Sequence, residues 1–167
     1  MSRCATFFCS LMKIGALPAA IALAAIPAAP ALASASDPFR LLYLFPGVRD
    51  DGSAINTGVA TSIHCFSFSG TAETLQFIVR DFTGALRANL SVAIVSGGTR
   101  TASTHGTVLY SEDLFLNSGQ IQQGSVGVTA TSANMVCTAH VLDASAAVPN
   151  GIDLHPIRFN PFPETDE

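Results

Sequence analysis

The stretch "SIHCFSFSG" (62–70) sets His64 beside Cys65, and "NMVCTAH" (134–140) sets Cys137 three positions before His140. These are the residue types that hold zinc, close disulfides or exchange protons near neutral pH. Both stretches read as strands, on which successive side chains point to opposite faces. His64 therefore faces away from Cys65, and His140 away from Cys137, which excludes a four-ligand Cys2His2 zinc site on regular strands. The expectation is a Cys65–Cys137 disulfide on one face and His64 with His140 on the other. If the strands are antiparallel neighbours with Cys65 opposite Cys137, residue 64 faces 138 and residue 62 faces 140. The histidines then lie on a diagonal, about 7–8 Å apart between backbones. Such a pair can share a metal ion or act as a pH sensor. The plainer alternative is two half-exposed strand histidines among Phe66, Phe68 and Leu142.

Three other groupings contain reactive residue types. "DDGSAIN" (50–56) gathers Asp50, Asp51, Ser53 and Asn56 around Gly52, an oxygen-rich loop of the kind calcium prefers, although without EF-hand spacing. A solvated turn explains the same residues. "ASTHG" offers Ser103 and His105, and "SED" offers Asp113, the types of a nucleophile–base–acid set. Glu112-Asp113 and Asp50-Asp51 are adjacent carboxylates, whereas glycosidase acids need a separation fixed by the fold. No G-x-S-x-G elbow occurs. No catalytic residue is assigned on this basis, and no cofactor is expected.

The elements that must position these groups are strands. "RLLYLF" (40–45) is an apolar run stopped by Pro46-Gly47, followed by a polar loop over 48–58. Further strands are expected at 59–68, 73–82, 86–95, 100–110, 125–132 and 134–143. Leu75, Phe77 and Val79 alternate with Thr74, Gln76, Ile78 and Arg80, and Leu86, Ala88, Leu90, Val92 and Ile94 fall at even spacing. "IDLHPIRF" (152–159) gives a last strand that Pro156 confines to an edge or bulge. "SEDLFLNSG" (111–119) is the one helix candidate, one or two turns between Ser111 and Gly119. Short strands at regular intervals with Gly/Ser/Asn turns predict an all-β fold, an antiparallel β-sandwich of about seven or eight strands. The disulfide is expected to tie its two layers together. The Phe159 and Phe162 tail is expected to wrap back over the sandwich rather than face water.

Residues 66–142 resemble the repeated plan of secreted bacterial β-sandwich modules of the immunoglobulin-like surface type. The matching residues are Asp81 and Gly84 after one strand, the Gly97-Gly98 turn, then Gly124-Ser125-Val126 and Thr129 on a later strand. The resemblance implies a surface or extracellular role. The chain has no tryptophan, so it lacks the core marker of antibody-type domains.

The N-terminus carries an address. From Lys13 a positive charge precedes a run of Ala, Ile and Leu closed by small residues, the pattern of a secretory signal peptide. We expect 1–35 to be that peptide, with translation starting at Met1 or at Met12, and 36–167 to be one domain with an extension at 151–167. The mature chain keeps six arginines and no lysine against 12 acids, a charge of −6 that argues against nucleic acid or anionic lipid as partner. The leading expectation is a secreted or periplasmic, non-catalytic β-sandwich with a structural or binding role. Its partner is expected to be an envelope protein, an extracellular polymer or another copy of itself. The alternative is a metal-binding or pH-sensing module using His64 and His140, and the third reading is a small secreted hydrolase.

Overall fold

A computed structural model describes residues 38–159, and within them the chain forms ten strands and no helix. The expected signal segment, the start at Met12 and Phe162 lie outside the described residues. The strands are β1 (Arg40–Asp50), β2 (Val59–Ser67), β3 (Glu73–Asp81), β4 (Leu86–Ile94) and β5 (Thr99–Ser103). They continue as β6 (Leu114–Phe115), β7 (Ile121–Ala130), β8 (Met135–Asp143), β9 (Ile152–Leu154) and β10 (Ile157–Arg158). One sheet, A, has the order β10-β1-β7-β3-β4; the other, B, has the order β6-β5-β2-β8-β9. All pairings are antiparallel except the two-residue contact of β5 with β6.

The alternation read from the sequence places the core. Leu75, Phe77 and Val79 of β3 are fully buried, as are Phe45, Val126 and Val128 from the same sheet. Ile63, Cys65 and Met135 meet them from sheet B. Polar groups cross the layers where backbone needs partners. The Tyr43 hydroxyl donates to the Met135 carbonyl (3.0 Å), and the Thr61 hydroxyl donates to the Arg49 carbonyl while accepting from the Arg49 amide.

Several expectations are corrected. β1 does not stop at Pro46-Gly47 but runs on to Asp50 through bulges, with Gly47 at φ 90°. Proline is tolerated because β10 pairs only with Tyr43 and Leu44, so at Pro46 one side of β1 is an open edge. The segment 111–119 is not helical. Its backbone is drawn out along β5: the Leu116 amide donates to Ser103 O, and Asn117 adopts φ 48°. Burying Leu116 in the core stabilises that path more than one or two isolated helical turns could. β5 ends at Ser103; Thr104 still meets Thr61 of β2, His105 turns to Asp50, and the chain then passes Val108 by Ala144 and Tyr110 by His64 on the outer face of sheet B. The 152–159 run is two strands, β9 on sheet B and β10 on sheet A, with the change of sheet at His155-Pro156.

The Cys65–Cys137 disulfide is present, but it joins neighbouring strands of sheet B rather than the two layers. Its Cα atoms are 4.2 Å apart, the spacing of a non-hydrogen-bonded antiparallel pair.

Candidate functional site

The histidine pair follows from strand register. β2 and β8 pair with Cys65 opposite Cys137, His64 opposite Thr138 and Ser62 opposite His140. Both sulfurs enter the core, so both imidazoles lie on the outer face of sheet B. The rings lean toward each other across the diagonal, with centroids 5.6 Å apart.

Each ring is held from the strand beyond it. His64 Nδ1 hydrogen-bonds the Thr101 hydroxyl of β5 (3.0 Å), and His140 Nδ1 meets the Asp153 carboxylate of β9 (2.7 Å). The segment around Leu109 and Tyr110 then lies beside the pair. Glu112 Oε1 accepts from both the amide and the hydroxyl of Thr107 (2.8 and 2.7 Å), and the Val108 amide donates to Ala144 O, which fixes this segment. It carries Tyr110 to within 4.3 Å of the His64 ring, centroid to centroid.

The electrostatics follow. Burial and the neighbouring His140 hold His64 down to about pKa 4, against a smaller upward pull from Glu112. His64 is therefore neutral at pH 7. Its Nε2 is buried and lacks a hydrogen-bond partner among the described residues. His140 is more open, at the wall of a cleft of about 220 Å³ shared with Tyr110 and Asp153.

The oxygen-rich loop holds its acids in separate hydrogen bonds. Asp50 is buried, and its oxygens accept from the Gly52 amide (2.7 Å), from His105 Nδ1 (3.0 Å) and from the Ser118 hydroxyl (3.4 Å). His105 Nε2–H donates to the Thr57 carbonyl (2.9 Å). Both ring nitrogens of His105 thus face oxygen atoms, Asp50 Oδ2 on one side and the Thr57 carbonyl on the other. Asp51 points outward and accepts from the Ser53 amide. Asn56 turns the loop at φ 63° and donates its amide to Gly106 O.

Ser103, His105 and Asp113 do not come together. The Ser103 hydroxyl bonds that of Ser62 (2.7 Å), His105 is engaged with Asp50, and Asp113 binds Arg100 and the Thr101 amide. Among the described residues no three His, Cys, Asp or Glu side chains converge as a metal cluster would require. The residues missed from sequence are Thr101, Tyr110 and Asp153 around the histidine pair, and Asp50 as the partner of His105. Strand parity gives a face but not which distant strand or loop lies beside it.

A groove of about 570 Å³ lies elsewhere, between Arg49, Val59, Leu142 and Asp143.

No protein-family model and no curated protein sequence matches the chain. Among solved structures it matches the crystal structure of FlgD from Xanthomonas campestris, a structure bearing on the hook capping essential for flagellar assembly. The match has 19% identity, covers 70% of this chain and 67% of that chain, and has a TM-score of 0.29. Likeness at that level assigns neither a fold nor a role to this chain.

Proposed function

We propose that this chain is a non-catalytic, exported β-sandwich that builds or binds at the cell envelope or outside the cell, and that β4 is its contact element, pairing with β4 of a second copy. The observation that carries this reading is the open edge. β4 borders sheet A with nine residues, whereas the other three outer strands have two or three. A free edge offers unpaired backbone groups to another strand. Leu90 points from β4 toward the core side, opposite Phe77, yet remains 38% exposed, because little of sheet B lies opposite it; Leu86, beyond the bulge and paired with Arg80, is 53% exposed. Phe82, 76% exposed, extends the apolar surface at one end.

Arginines close the two ends of this edge. Arg87 reaches to the carbonyls of Ser118 and Gln120, and Arg100 donates to Ala93 O. The middle of β4 has no proline, no lysine and no inward charge, the usual devices against edge pairing. Antiparallel pairing about Leu90 would set Asn89 against Ser91 and Ala88 against Val92, so no like charges meet along the regular part of the strand. Export is supported by the signal-like segment and by a disulfide of the kind kept in oxidising compartments.

Sedimentation velocity tests the reading. The wild-type chain, cleaved after Ala35, is expected to self-associate at micromolar concentration. Leu90→Lys is expected to be monomeric with an unchanged circular dichroism spectrum. A wild type that stays monomeric to millimolar concentration overturns the contact. Hydrolysis of glycosidic, ester or peptide substrates that is lost in Ser103→Ala or Glu112→Gln overturns the non-catalytic reading.

A further inference from the structure

We propose that His64 and His140 form a two-imidazole site for a divalent transition-metal ion of the zinc–copper class on the outer face of sheet B. The first ground is the assignment of the ring nitrogens. Asp153 accepts from His140 at Nδ1, which leaves Nε2 as the nitrogen with the free lone pair. The Thr101 hydroxyl bonds Nδ1 of His64, so that Nε2 is the ring nitrogen turned away from Thr101. A carboxylate or hydroxyl behind the ligating ring is the arrangement that fixes tautomer and orientation in metal sites.

The second ground is the orphaned atom. Buried polar side-chain atoms nearly always have a partner, and His64 Nε2 has none among the described residues. A metal ion supplies one. The third is distance. Metal–nitrogen bonds of about 2.0–2.1 Å place each ring centre roughly 3 Å from the ion, so two ligating rings lie about 5–6 Å apart. The observed separation is 5.6 Å.

Glu112, Tyr110 and Asp153 are the polar groups around the pair. Two imidazoles leave positions for water from the cleft beside His140. The site is therefore open rather than a closed four-ligand structural site. Imidazole donors select zinc or copper over magnesium or calcium.

Isothermal titration of the disulfide-intact protein with zinc chloride and with copper chloride at pH 7 provides the test. One ion is expected to bind per chain, and the His64→Ala/His140→Ala variant is expected to lose that binding. Asp153 is 89% exposed, so Asp153→Asn spares the fold and is expected to weaken binding by roughly 10–100-fold. Calcium and magnesium chloride are expected to give no heat. Failure of both zinc and copper to bind the wild type overturns the proposal. So does binding that survives the double substitution, or affinity unchanged in Asp153→Asn.

Discussion

His64 is neutral in the fold because burial beside Tyr110 removes water that would hydrate the cation, and His140 beside it adds repulsion. Its pKa is about 4 folded and 6.5 when exposed in the unfolded chain. The unfolded state then binds the extra proton between those values, so stability is full above about pH 6.5 and declines as pH falls toward 4. Allowing for partial solvent screening, the loss is on the order of 1–2 kcal/mol. Thermal melts at pH 7.5 and 4.5 are expected to show this drop in the wild type and a smaller one in His64→Gln. The carboxylates act in a lower window. Burial raises Asp51, but hydrogen bonds from Ser53 and Val59 and the charge of His105 more than offset it. Thr83 lowers Asp81, and Ser145 lowers Asp143. Their contribution is present above the ordinary 3.8 and is lost only as pH falls below it. At this scale the sequence made one relation legible. Parity put His64 and His140 on a common face. It could not show Tyr110 above them or Asp50 behind His105, because those contacts are made by chain crossing from another element.

Among the elements, β3, β4 and β8 were readable to within about a residue, because one face of each is apolar and the period is two. β1 was cut short by Pro46-Gly47, since a turn dipeptide and a bulge on an open edge look alike in sequence. Residues 111–119 were misread because a Ser start and a Gly stop suit a helix, whereas Asn117 and Leu116 are placed by β5 and the core. Gly124 shows how closely strands can approach at such irregular places. A Cβ there would sit 2.5 Å from the Arg80 carbonyl oxygen and 2.8 Å from Ile121 Cγ2. The first neighbour is backbone and cannot move aside without parting β3 from β7. Gly124→Ala is therefore expected to destabilise by about 1–3 kcal/mol in urea titrations. Gly84→Ala, at φ 84° in open space, isolates the cost of backbone strain without a clash.

For the molecule as a whole, the two-layer β architecture followed from strand spacing, but the place of the disulfide did not. It ties β2 to β8 inside sheet B, so cohesion between the layers rests on side chains such as Phe45, Phe77, Ile63 and Met135. Its benefit comes through the unfolded chain, where closing 72 residues stabilises by about 4 kcal/mol before any native cost. Replacing both cysteines with alanine is expected to lower unfolding free energy by about 2–4 kcal/mol, read by guanidinium denaturation, while the strand signature in circular dichroism persists. The short run from Ile152 to Arg158 acts differently. It lies along β8 with one half and along β1 with the other. It works as a hasp across both plates, and a single protease cut in the exposed Asn150-Gly151 link would loosen it from its hinge, baring the margins of both plates in one event.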